Sequence, residues 1–511
     1  MLAATLVALL VAHWVARGPV AQADDESQAV AATAAPVAAA PRIVWLGATL
    51  VEREQVYGYV ETRLTALATA PPPSFRNLGY SGDTVWGDAR AGFDTAAEGF
   101  ARLVEQVEAA QPSEIVIAYG ANEAFAGAAG LDAFIAGYER LLDALAPTGA
   151  RFVLVTPLPY EPLGPPLPDG DAYNEQLALY SAAIRHLAAQ RECRLVDLFA
   201  SLKNHPRRGP AWTENGLHPT AYGYWQLAEQ LLAEVDVSAP PAWHVALAAD
   251  GEIERAEGTT LSDVLVRTAE DPGPRDDGPS AHALVRFVAT DAALPRPLGP
   301  CPTCGPSAPG ACESERCCAP AAGDAKAICR DCNADCGAED GCETTAASCD
   351  TGACDTAACD TAAYDTGACE AAACCQSAEC GSCVAARYQP RRLVVRGLPP
   401  GQYALMVDGV RLTTGTSDEW AAGRPLPPGP EQAQVEALRA AIVAKNQLFF
   451  HRWRPQNETY LFGFRKHEQG QNAAEVPQFD PLIEAAQLDI ARLCEPQAHI
   501  YELVPEPETD R

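Results

Sequence analysis

Four short stretches of the chain carry residue types suited to acyl transfer: "LGATL" with Thr49, "NLGYSGDT" with Gly82, "YGANE" with Asn122, and "TENGLHPT" with His218. Cleavage of an ester by a hydroxyl needs four things: a nucleophile, a base that takes its proton, a group that orients the base, and N–H donors around the developing oxyanion. Each residue also has a structural reading. Thr is a competent residue at a strand-to-helix boundary, Gly82 can serve as a turn glycine, Asn122 as a loop amide, and His218 beside Pro219 as a loop histidine. Motifs of this length mean little singly. Their order within a regular pattern of elements carries the weight.

That pattern runs over 41–237. Short apolar runs, "RIVWLG", "SEIVIAYG", "RFVLVTPL" and "CRLVDLF", alternate with amphipathic segments: one with Val56, Val60, Leu64 and Leu67 on a shared face, then 131–145, 173–189 and 222–235. Strands separated by helices assemble most simply as a parallel sheet between two helical layers. Ligands of such sheets bind at the carboxyl ends of the strands. All four stretches adjoin a predicted strand end.

In this arrangement the domain resembles the SGNH, or GDSL, hydrolase family, including exported members of the planctomycete type. The resemblance covers about residues 43–232 and implies an α/β/α fold and a hydroxyl-nucleophile esterase. Gly47-Ala48-Thr49-Leu50 stands where the family has Gly-Asp-Ser-Leu, which makes Thr49 the counterpart of the nucleophile. Gly82 in "SGDT" stands where the family supplies a glycine N–H to the oxyanion hole. Gly120-Ala121-Asn122-Glu123 matches the third block in full, with Asn122 as side-chain donor; the N–H of Thr49 completes the hole. The last block, Asp-x-x-His, keeps His218 but has Asn215 for the aspartate. The altered positions imply a degenerate Thr-His-Asn arrangement. Threonine keeps an Oγ, though its methyl restricts χ1 and crowds the tetrahedral centre. Asn215 can hold His218 by a hydrogen bond but cannot stabilise imidazolium as a carboxylate does, and an amide can favour the wrong tautomer. Glu214 is a candidate for rescue, and Asp83 for the polar group missing at Ala48.

Composition sets further bounds. The net charge of -30, with no basic block, argues against a nucleic-acid partner. No P-loop or Gly-x-Gly-x-x-Gly offers a nucleotide a foothold, and the lone histidine of "ENGLHPT" lacks the neighbours of a zinc site. The reading therefore calls for no cofactor and no metal. Residues 1–23 read as a signal peptide, so the chain is expected to be exported, with no membrane span after cleavage. Residues 24–40 read as a linker.

Beyond 240 the texture changes. Apolar runs in "AWHVALAAD", "HALVRFVATDAA", "RRLVVRGLPPG" and "QYALMVDGVRL" predict a small β-domain over 241–416, interrupted by a Cys-rich insertion over 298–389. The insertion holds 17 of the 19 cysteines and repeats a five-residue unit, "CDTGA CDTAA CDTAA YDTGA CEAAA C". So few large apolar side chains cannot make a core; the segment is disulfide-linked, disordered, or metal-filled. An odd cysteine leaves room for an intermolecular or cell-envelope disulfide partner. Residues 417–511 read as a mainly helical section. Within it "HRWRPQNETYLF", with Arg452, Trp453, Arg454 and Tyr460, suits either a domain interface or the grip of an acidic glycan. Two functional readings result: a carboxylic-ester hydrolase, acting on a small-molecule or glycan ester such as an acylated carbohydrate, or a non-catalytic binding or structural protein of the cell envelope.

Overall fold

The computed structural model describes residues 40–68, 71–205, 210–235, 237, 240–248, 250–266, 284–300 and 390–506. The described residues all belong to one compact unit. The expected signal peptide, nearly all of the linker, and residues 301–389 of the Cys-rich insertion lie outside them.

The first domain is a five-stranded parallel sheet of order β2-β1-β3-β4-β5, with β1 Arg42–Gly47, β2 Ser74–Gly79, β3 Glu114–Ala118, β4 Arg151–Val155 and β5 Arg194–Val196. Alternation along β1 sends Val44 and Leu46 to one face and Ile43 and Trp45 to the other. The first face packs on helices α3 (Ala96–Ala109), α4 (Leu131–Leu145) and α5 (Asp171–Gln190). The second packs on α2 (Tyr59–Ala66), α6 (Leu198–Lys203) and α7 (Ala221–Glu234). The expected three layers are present.

Two local features differ from the sequence pattern. The segment carrying Val56 to Leu67 is two helices, α1 (Thr49–Tyr57) and α2, because Gly58 adopts the left-handed conformation at φ 66° and ends the first. Strand β2 is buried along its whole length despite Ser74, Arg76 and Asn77. C-terminal elements cover Arg76, and Asn77 donates to the Val51 carbonyl of α1 at 2.6 Å.

The second half supplies two sheets that share one core. One has order β13-β10-β6-β7, built from β6 His244–Ala248, β7 Ile253–Glu257, β10 Arg391–Arg396 and β13 Arg424–Leu426. The other has order β12-β11-β14-β9-β8, from β8 Thr259–Val266, β9 Val285–Asp291, β11 Gln402–Val407, β12 Val410–Thr416 and β14 Ala498–Pro505. Val245, Leu393, Phe287, Leu405 and Leu503 meet in their common core, with Trp420 of α8 (Ser417–Ala422) fully enclosed. The C-terminal section is mainly helical, as expected, but it also carries the strands β13 and β14. Its last strand, β14, lies between β9 and β11 in the middle of a sheet.

Its helices are α9 (Pro430–Trp453), the single-turn α10 (Glu458–Leu461) and α11 (Lys466–Gln469), and α12 (Phe479–Leu493). Val435, Leu438 and Ile442 of α9 are fully buried, as their spacing predicts. Farther along, Lys445 enters the first domain: its Nζ donates to Glu61 (2.6 Å) and to the Phe75 carbonyl (3.0 Å), while Asn446 donates to the other Glu61 oxygen (2.9 Å). Arg76 of β2 lies over the Phe449 ring at 5.4 Å and pairs with Glu484 of α12 at 3.3 Å. Thus α9 and α12 cover the β2 edge of the sheet, which is why that strand tolerates Arg76. Among the described residues no helix is long and apolar enough to cross a membrane.

Candidate active site

All four sequence-predicted stretches lie at the carboxyl end of the parallel sheet. Thr49 follows β1 as the first residue of α1; the cap position itself is Ala48, whose carbonyl accepts from the N–H of Val51 (3.0 Å) and Glu52 (3.1 Å). Thr49 is thus not the side-chain cap. Packing at this turn is close: a Cβ on Gly79, at the end of β2, would stand 2.2 Å from the Glu52 nitrogen.

Gly82 lies in the loop after β2 at φ +79°, with nothing within 4 Å of where a Cβ would stand. Glycine is required there by the backbone angle, not by crowding. Asn122, after β3, donates from Nδ2 to the Asp83 carbonyl at 2.8 Å, which ties the second and third stretches together. Glu123 does the same from beneath. One carboxylate oxygen accepts the Val85 N–H (2.9 Å) and the other the Gly120 N–H (2.8 Å), and burial pushes its pKa up to about 6. Asp83 is fully buried and committed to Arg90 Nε (2.8 Å) and the Tyr119 hydroxyl (2.8 Å). It is a pillar of this loop rather than a substitute for the polar group missing at Ala48.

His218 precedes α7 on a loop closed by a bridge between Thr213 and Pro219. A buried carboxylate that sequence reasoning did not single out shapes this loop. Glu161 accepts from the Thr213 N–H (2.8 Å), the Thr213 hydroxyl (2.7 Å) and the Trp212 N–H (3.2 Å). At φ +86° Gly216 lies so close to Tyr160 that a Cβ would stand 2.3 Å from the ring. From α7, the Tyr224 hydroxyl donates to the Leu50 carbonyl at 2.7 Å, tying the histidine side of the site to the nucleophile turn.

The orientation of Asn215 decides what His218 can do. Oδ1 accepts two backbone N–H groups, of Leu217 (3.1 Å) and His218 (3.0 Å), so the amide NH₂ must face His218 Nδ1, 3.2 Å away. Nδ1 is then an acceptor, and the neutral ring carries its proton on Nε2. That is the opposite tautomer to the one a carboxylate would hold. No hydrogen bond joins Thr49 Oγ1 to His218 among the described residues. Glu214, the candidate for rescue, is turned to Arg53 of α1, with Nη1 at 3.3 Å and a closer contact from Nη2. The His218 pKa is lowered by burial and by Arg53, with Glu214 acting against both.

The loop after β2 has partners from far along the chain. Glu52 accepts the Ser81 N–H with one oxygen and Arg454 Nη1 (3.0 Å) with the other. The Arg454 guanidinium lies 3.5 Å from the Tyr80 ring centroid, and Trp453 meets the same ring edge-on at 6.4 Å. Of the two readings of "HRWRPQNETYLF", Trp453 and Arg454 fit the interface.

Residues 47–226 match the model of the GDSL-like lipase/acylhydrolase family. No curated protein matches the chain. Among solved structures, the chain is similar to BT4096, a gut microbial diltiazem-metabolizing enzyme, at 14% identity and a TM-score of 0.55 over 91% of this chain and 98% of that one. It also matches a catalytic mutant of Axe2, an acetylxylan esterase from Geobacillus stearothermophilus, at 20% identity and a TM-score of 0.32, over 38% of this chain and 94% of that one. LAE5, an alpha/beta hydrolase enzyme from the metagenome of Lake Arreo, Spain, matches at 20% identity and a TM-score of 0.31, over 39% and 97%. With the sheet order and the matched segment together, the first domain has an SGNH/GDSL-like hydrolase fold.

Proposed function

We propose that the protein is an exported carboxylic-ester hydrolase with a weakened triad, acting on a small-molecule or glycan ester such as an acylated carbohydrate. Convergence of the four stretches at one end of the sheet carries this reading. Thr49 attacks the acyl carbon, and the N–H groups of Thr49 and Gly82 with the Asn122 amide receive the oxyanion. His218 takes the threonine proton at Nε2 and returns it to the leaving alcohol; water then releases the acyl group. No cofactor is needed.

The first proton transfer requires the ring to move its own proton to Nδ1 and Asn215 to turn its oxygen toward it. That turn strips an acceptor from two backbone N–H groups. At about 1–2 kcal/mol each, the cost alone slows the step by roughly 30- to 1,000-fold. The same observation favours a second reading, a non-catalytic protein of the cell envelope in which His218 Nε2–H is a fixed donor toward a bound ligand.

Hydrolysis of a short-chain chromogenic ester by the purified protein and its His218→Ala variant tests the proposal. Turnover that disappears in the variant, with an acyl group trapped on Thr49, supports the hydrolase. Equal rates in the two would move the assignment to the second reading.

A further inference from the structure

We infer that Arg454 and Glu52 are positioning residues for the oxyanion side of the site, so that the site depends on a residue, Arg454, outside the family-matched segment. This rests on the hydrolase reading for its effect on rate. On the hydrolase reading the loop after β2 must present the Gly82 N–H to the oxyanion, and glycine at φ +79° with open space around it holds no conformation by itself. Its neighbours supply the constraint. The Tyr80 N–H donates to the Gly47 carbonyl (2.9 Å), the Asp83 N–H closes a turn on the Tyr80 carbonyl (3.0 Å), and Ser81 donates to Glu52.

Of these anchors, the Glu52 carboxylate is a side chain free to choose among rotamers. Arg454 removes that freedom. It binds the second Glu52 oxygen and lays its planar guanidinium on Tyr80, so one side chain fixes both the residue before Ser81 and the acceptor of Ser81. Arg90, held by Asp83, sits 5.5 Å from both the Tyr80 and Trp453 ring centroids and adds a second guanidinium to the cluster. Arg454 follows directly on α9, which Lys445 anchors in the first domain nine residues earlier.

The test combines hydrogen exchange with kinetics on full-length protein carrying Arg454→Ala or, separately, Glu52→Gln. Both are run also with Asn215→Asp to raise the rate. Faster exchange of the 79–84 backbone, together with a kcat lower by about 10- to 100-fold at unchanged KM, is the expected result. Arg454→Lys, which keeps the charge but not the stacked plane, should recover only part of the rate. Unchanged exchange over 79–84 in both variants overturns the inference whether or not any ester is cleaved, as does unchanged kcat where hydrolysis is measurable. Faster exchange in a protein that cleaves no ester even with Asn215→Asp leaves the loop assignment standing and sinks the hydrolase reading instead. Glu52→Gln guards against a folding failure peculiar to Arg454→Ala.

Discussion

At the residue scale the decisive atom is the Asn215 nitrogen facing His218 Nδ1. Asn215→Asp is nearly isosteric: one oxygen keeps the N–H groups of Leu217 and His218, and the other takes the place of the NH₂. Its carboxylate accepts a hydrogen bond from Nδ1–H and so leaves Nε2 free to act as base. We expect kcat to rise by two to four orders of magnitude; the upper figure is the handicap of the equivalent asparagine in a serine protease. The pH profile should move as well. A base works when neutral, so kcat/KM rises through the histidine pKa, which burial and Arg53 hold below 6.5 in the native chain. A neighbouring carboxylate favours imidazolium, so the acid limb of the variant should lie at higher pH. Steady-state kinetics across pH 4–9 measures both effects, and an unchanged rate would mean that the tautomer is not what limits the reaction. The substitution itself was readable at position 215; the amide's orientation was not, because two backbone N–H groups of a folded loop decide it.

At the element scale, α1 both presents Thr49 and carries a buried acid. Glu54 accepts the Val60 N–H at 2.7 Å with one oxygen, while the other has no hydrogen-bond partner among the described residues. Burial pushes its pKa up to about 8, against the pull of the Val60 and Glu61 N–H groups. The native state therefore keeps a proton that the unfolded chain releases near its ordinary 4.5, and stability falls as pH rises from there to about 8. Glu54→Gln retains the acceptor for Val60 and removes the titration. Its thermal midpoint should exceed that of the native chain slightly at pH 5 and most at pH 9; an equal gain at every pH would show that Glu54 ionises normally. Most elements were legible from periodicity, among them α4, α9 and the strands of apolar sequence. Strand β2 was not named, because Arg76 looks solvent-facing until α9 and α12 cover it, and Asn77 until its amide meets the Val51 carbonyl of α1. The β11–β12 hairpin carried a readable sign, Asp408-Gly409 with both residues at positive φ (50° and 78°), yet was read as one strand. The link between Glu52 and Arg454, 402 positions apart, had no local signal at all.

At the scale of the whole molecule, the last strand closes what the first half begins. A solved structure is similar in fold over 91% of this chain. Strand β14 is the element on which the second half turns. It pairs with β9 on one side and β11 on the other, and it buries Tyr501 and Leu503 in the shared core, with the Tyr501 ring stacked on Phe287 at 5.0 Å. The Tyr501 hydroxyl then reaches Arg391 of β10 (2.8 Å) and Glu431 at the start of α9. From there α9 runs to Lys445 in the first domain and on to Arg454 over the site loop, about 35 Å of helix at 1.5 Å per residue. A chain ending at residue 496 would leave β9 and β11 as open edges around an uncovered core and take one partner from the head of α9, which keeps Arg391 on Glu431 and the Arg296 carbonyl on Gln432. We expect limited proteolysis of that truncated chain to cut first within the paired sheets and the start of α9. The parallel sheet, whose core is largely its own, should survive as a resistant fragment. Exchange over 79–84 should stay close to that of the full chain, because Lys445 still anchors α9 in the first domain nine residues before Arg454. Faster exchange over 79–84 in the truncated chain would mean that the Lys445 anchor is not sufficient, and that the paired sheets contribute to the geometry of the site.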